Sequence, residues 1–180
     1  MSEIVALVEP DGTVCGSAPR SVVRRENLWH ASTAVLVRNG AGEIFVHRRS
    51  PDKDWAPGCH DAAAGGVLLH GEEPEASARR ELAEELGVTG TPLRPLGLHA
   101  YADDAVRCVE HCFETTWDGP VTFPDAEVVW GAWMTLPALD ALLADPGWPF
   151  VPDTRQLLAR LARAGTGDYA TLTRLRSTDR

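Results

Sequence analysis

One stretch, residues 66–88 with the sequence GVLLHGEEPEASARRELAEELGV, constrains this chain more than any other. Pro74 suits the first turn of a helix, where a missing N–H leaves no bond unmade. Residues 76–86 are mostly Ala, Leu, Arg and Glu, good helix formers, and Gly87 is a natural stop. The pattern predicts a helix from Pro74 to Leu86. On it, Glu81, Glu84 and Glu85 stand at i, i+3 and i+4 and share one face. Like charges so spaced repel by roughly a few tenths of a kcal/mol per pair. Three gathered carboxylates suit a hard divalent cation such as magnesium. A solvated acidic face is the plainer reading of the helix alone. Upstream, however, stand Gly65-Gly66 and a loop carrying Glu72.

The surrounding chain has the composition of an ordinary soluble domain. Its 180 residues suffice for one well-buried core and are few for two. No apolar run approaches the roughly twenty residues of a membrane helix. The opening MSEIVALVEPDG lacks a basic region followed by an apolar stretch and a cleavage site, so a mature cytoplasmic protein is expected. The net charge of −9 argues against extended nucleic-acid binding, which needs a basic face. It admits a phosphorylated small molecule, because local cations or a metal can invert the field at one site. Cys15, Cys59, Cys108 and Cys112 form no CxxC pair, and reduced thiols are expected. A zinc site from Cys59, His60, His111 and Cys112 lacks the usual ligand spacing.

Along the chain, residues 4–8 and 13–16 predict an N-terminal hairpin around Asp11-Gly12. A polar, basic stretch follows at 20–27. Strands are expected at 32–37, 43–47, 61–67, 96–102, 106–116 and 128–134, with a loop at 50–60. Short helices should run from about Thr135 to Leu143 and from Pro152 to about Arg163. Residues 1–165 form one domain on this reading, and 166–180 form a loose polar tail. Strands on both sides of one central helix, with helices at the end, predict an α/β or α+β layer fold.

The stretch from Gly66 resembles the Nudix signature G-x5-E-x7-R-E-U-x-E-E-x-G-U, where U is a bulky aliphatic residue. Every fixed position matches: Gly66, Glu72, Arg80, Glu81, Leu82, Glu84, Glu85, Gly87 and Val88. The resemblance implies an α/β/α sandwich with a mixed sheet, the hairpin being an extension. It implies an enzyme that hydrolyses a diphosphate bond with Mg2+, or Mn2+, as cofactor. Glu81, Glu84 and Glu85 would bind the metal, with a backbone carbonyl of Gly65 or Gly66 and with Glu72 through water. Arg80 would orient a helix glutamate. The substrate class implied is a nucleoside diphosphate linked to another moiety. A homodimer is compatible with the sequence, and nothing in it selects one.

Residues 27–133 are more weakly similar to the isopentenyl diphosphate isomerase branch of the superfamily. The shared points are His30, Arg48-Arg49, Lys53, Trp55, Pro57-Gly58, Glu110 with Cys112, and Glu127 before Trp133. The isomerase Cys-Gly-His segment falls on Gly65-Gly66-Val67, so its cysteine and histidine are absent, and Cys59 lies six residues early. Hydrolysis is therefore the leading reading. An isomerase-like enzyme and a non-catalytic ligand sensor are the alternatives. Arg49, Arg48 and Lys53 are candidate phosphate binders; the alternative is a solvated hairpin end. Glu110, among apolar and thiol neighbours in CVEHCF, is a candidate base or metal ligand, and Glu127 is a second candidate base. His30 is read as a hydrogen-bonded structural histidine, and Trp55 and Tyr101 as packing residues that could stack on a base.

Overall fold

A computed structural model of the protein describes residues 3–175. The chain opens with the hairpin β1 (Ile4–Val8) and β2 (Val14–Pro19), then α1 (Arg20–Glu26), β3 (Trp29–Arg38) and β4 (Ile44–Arg49). Two short strands, β5 (His60–Asp61) and β6 (Ala63–Ala64), lead to α2 (Pro74–Leu86). After it come β7 (Arg94–Ala102), β8 (Arg107–Thr116), β9 (Val128–Met134), α3 (Leu136–Leu143) and α4 (Pro152–Arg163). A 3-10 turn spans Gly167–Thr171.

β3 is the axis of the mixed sheet. One edge runs parallel to β8 from Trp29↔Arg107 to Arg38↔Thr116, and β7 adds antiparallel to β8. The other edge is shared piecewise. β1 meets it at His30, β6 at Val35 and Leu36, and β4 only at Arg38. β4 splays away to pair with β5 and β9. A cleft opens in that fork.

Period-two alternation divides the core into two layers. Val35, Val37, Phe45 and Phe113 face α2 and pack on Ala78, Leu82 and Leu86. Ala34, Leu36, Ile44, Val46 and Cys112 face the other way, onto α3, α4 and the 3-10 turn. This is the α/β/α sandwich expected, and the hairpin docks on it through the Ala6 N–H, which donates to the Leu68 carbonyl at 2.9 Å. α2 ends as expected: Gly87 has φ +65°, and a Cβ there would meet Thr122 Oγ1 at 2.1 Å.

Three expectations need correction. The polar, basic stretch at 20–27, for which no element was expected, forms α1, anchored by buried Val23 and closed by left-handed Asn27. Seven residues are too few to show a helical period. The strand expected at 61–67 is broken, because the chain leaves β4 after Asp61 and crosses to β3. The tail is not loose through residue 175. Tyr169, Leu172 and Leu175 are buried in the α3–α4 layer, and the Tyr169 hydroxyl donates to Glu114. Residues 176–180 lie outside the described region. Leu172→Ala should therefore lower unfolding free energy by about 2–4 kcal/mol in urea titrations, where a loose tail would give no change.

Candidate active site

The site begins with two glycines. Gly65 lies so close to β3 that a Cβ on it would meet the Thr33 carbonyl oxygen at 1.9 Å. A Cβ on Gly66 would stand 2.6 Å from the Glu81 carboxylate. The Thr33 N–H donates to the Gly66 carbonyl at 2.9 Å, locking this crossing segment to the sheet. α2 can then approach until its carboxylates meet the backbone. Glu85, on the inward face between Leu82 and Leu86, is 1 % exposed. Its carboxylate accepts from the Gly65 N–H at 3.1 Å and from Lys53 Nζ at 2.9 Å.

The helix glutamates differ sharply in setting. Burial pushes the Glu85 carboxyl up to about 7, against the opposing pull of Lys53 and Arg49. Burial also raises Glu81, with Arg80 opposing. Glu84 has a half-exposed side chain. Arg80 ties the set together. It grips Glu72 with two bonds of 3.0 and 3.1 Å and donates to Glu81 at 2.6 Å and to Glu84 at 3.2 Å. For Glu72, burial opposes ionisation, but the fork from Arg80 prevails and holds its carboxyl below the ordinary value. Lys53 Nζ bridges Glu85 and Glu127, so a cation already stands against the buried carboxylate.

A cavity of about 120 Å³ fills the fork of the sheet. Gly65, Gly66, Glu81 and Glu84 line one side, with Arg49, Lys53 and Glu127 facing them. His30, Cys108, Glu110 and Asp153 line its floor. Most of the expected residues line this cavity; Glu85 and Glu72 do not, and join it through Lys53, Gly65 and Arg80, while Arg48 stands apart. Arg48 is exposed, does not line the cavity and bonds the Gly58 carbonyl at 3.2 Å. Alternation along β4 turns it away while turning Arg49 inward. Arg49 itself holds the Trp55 carbonyl with two bonds, of 2.9 and 3.2 Å, so it also shapes the loop at 50–60. Tyr101 packs against Trp55 and donates to Asp103. His30 is buried and bonded to the Leu28 carbonyl, and burial lowers its pKa to about 4, as suits a structural histidine.

Sequence reasoning missed Asp61, Asp153 and Thr154. The Thr154 hydroxyl donates to Asp61 at 2.7 Å, and all three line the cavity. In the sequence Asp153 is only the second residue of the helix expected from Pro152. Arg20 and Arg24, from α1, also reach the cavity wall and bind Asp54.

The family model for the NUDIX domain matches residues 28–158. The chain belongs to the Nudix hydrolase family. An uncharacterized Nudix hydrolase of Rhodococcus erythropolis is 46% identical over 167 residues, covering 87% of this chain and 90% of that protein. One from Salmonella typhi is 35% identical, covering 88% and 84%. The crystal structure of DR0079 from Deinococcus radiodurans superposes with a TM-score of 0.75 at 28% identity, covering 88% of this chain and 98% of that one. Nudix hydrolases generally use divalent metal ions. The residues here fit one: a glycine cradle, a carboxylate face on the cavity, and a lysine ammonium already seated against Glu85.

Two measurements check this geometry. Gly65→Ala drives a Cβ into backbone and should cost about 3 kcal/mol or more, whereas Gly66→Ala meets only a side-chain end and should cost about 1 kcal/mol. In metal-free protein, a Glu85 carboxyl raised from 4.5 to about 7 binds more protons folded than unfolded across that window. Its contribution to stability therefore falls as pH rises from 4.5 to about 7. Thermal melts of Glu85→Gln should lack this part of the slope and run parallel to the wild type outside the window.

Proposed function

We propose that this protein hydrolyses the diphosphate bond of a nucleoside diphosphate linked to another moiety, with Mg2+ as the preferred ion. The observation that carries the reading is the pair Glu81 and Glu84 lining a cavity with Lys53 and Arg49, while Lys53 ties the buried Glu85 to the same place. Glu81, Glu84, Glu85 and a carbonyl of Gly65 or Gly66 would hold the cation, and Glu72 acts through Arg80. A bound divalent cation neutralises diphosphate charge, acidifies a water and holds the leaving oxygen.

The chain's own groups supply the rest. Arg80 keeps Glu81 and Glu84 pointed at the cavity. Lys53 and Arg49 present positive charge to the phosphates. Glu84, half exposed at the wall, is the glutamate of the set that also meets attacking water and can accept its proton. Glu110 does not suit that role. Burial, with Asp153 and Asp61 nearby, pushes its carboxyl well above the ordinary value, which disfavours the ionised form a general base needs. No Cys or Ser need act as a nucleophile; Cys59 does not line the cavity.

The test is phosphate and pyrophosphate release from a panel of nucleoside diphosphate derivatives with magnesium, in oxygen-18 water. Label should appear on a phosphate product, and label on carbon would exclude the mechanism. Glu84→Gln and Glu85→Gln should each slow turnover by roughly a hundredfold or more, several kcal/mol of lost transition-state stabilisation. Cys59→Ala should retain full activity. Wild-type rates in Glu85→Gln would sink the assignment.

A further inference from the structure

Below the glutamate face, the cavity floor gathers a second set of ligand-type atoms. Cys108 and Glu110 sit two apart on β8 and so point the same way, toward α4. Asp153, in the first turn of α4, faces them. One ligand atom from each of the three lies within 4.8 Å of the other two, and all three residues are buried. All three line the cavity. Cys108 is a free thiol.

Charge at this floor is not balanced by its partners. Glu110 is 6 % exposed, and its Oε2 is buried with no hydrogen-bond partner. Asp153 accepts from the Thr154 N–H at 2.9 Å. Asp61 lies nearby, itself bonded by Ala63 and Thr154. Of the two guanidiniums nearby, Arg160 donates to the Leu96 carbonyl, and Arg49 donates to the Trp55 carbonyl and pairs with Asp61 at 3.8 Å; neither bonds Glu110 or Asp153. A buried acid with an idle oxygen needs a proton or a cation.

We propose that Cys108, Glu110 and Asp153 form a second metal site, separate from the carboxylate face of α2, that takes a zinc-class divalent ion. The donor set decides the class. Magnesium takes oxygen ligands and keeps several waters, whereas a thiolate selects zinc and its neighbours. Ligand atoms around zinc stand about 3.5 Å apart, given bonds of about 2.0–2.3 Å. The side chains therefore need close by about an ångström, within reach of small rotations. Three protein ligands leave one tetrahedral position open toward the cavity, where water or a substrate oxygen would bind. Binding releases the thiol proton and any proton on the two carboxyls.

Cobalt(II) is the probe, because a thiolate–cobalt bond gives an intense near-ultraviolet charge-transfer band. Metal-free full-length protein would be titrated with cobalt in excess magnesium, which occupies oxygen sites and spares thiolates. The expected result is a band that saturates at one equivalent. Cys108→Ser should lose the band, and Asp153→Asn should weaken cobalt binding by roughly tenfold or more, since even outer partners of metal ligands contribute on that scale. Replacing exposed Cys15 and half-buried Cys59 by Ala should leave the band intact, as should Glu84→Gln and Glu85→Gln. The last pair separates this site from the hydrolytic reading, which can fail without affecting the band. No band at stoichiometric cobalt, or a band that survives in folded Cys108→Ser protein, overturns the proposal. Circular dichroism of each variant establishes that it is folded.

Discussion

The close approach of Gly65 and Gly66 to their neighbours governs this molecule. Without side chains, these residues let a crossing segment lie against the Thr33 carbonyl on one side and the Glu81 carboxylate on the other. That contact sets the height of α2 above the sheet. It brings the Gly65 N–H within 3.1 Å of Glu85 and makes a buried carboxylate tolerable on an otherwise apolar helix face. Lys53 supplies the compensating charge from the loop at 50–60. Shape and electrostatics are therefore one problem here, solved by the same pair of residues.

The fork in the sheet is the second consequence. β3 gives one whole edge to β8 and divides the other among β1, β6 and β4. A strand so divided cannot close its hydrogen-bond ladder, and the gap becomes a cavity with backbone and charged walls. The two layers of helices meet there, α2 contributing Glu81 and Glu84 and α4 contributing Asp153. Acidic groups from distant parts of the chain thus share one space. The chain's net charge of −9 does not describe it, since Lys53, Arg49, Arg20 and Arg24 line the same walls.

Much of the fold was legible because its signals are local. The helix Pro74–Leu86 is announced at both ends, by Pro74 and Gly87, and filled with strong helix formers. α3 and α4 both open on a proline near the first turn. Elements without such punctuation were read less well. α1 is held by Val23 and by a left-handed Asn27, and a short basic stretch carries no period. Tyr169, Leu172 and Leu175 sit singly among polar residues, so only contact with α3 and α4 distinguishes them from a solvated tail.

The same division holds for the site. Spacing along the sequence determined that Glu81, Glu84 and Glu85 share a helix face, because helical geometry is fixed within a few residues. The resemblance to the Nudix signature placed Gly66, Glu72 and Arg80 in register with them. What it could not assign was the different setting of each glutamate. Burial of Glu85, its bond to Lys53 and the half-exposure of Glu84 depend on what packs against α2. Arg48 and Arg49 are neighbours in the chain, yet strand alternation sends only Arg49 to the cavity. The meeting of Asp153 with Cys108 and Glu110 belongs wholly to the tertiary structure. Asp153 follows Glu110 only after β9 and α3 have intervened in the chain, and only packing of α4 onto that face of the sheet brings their side chains together.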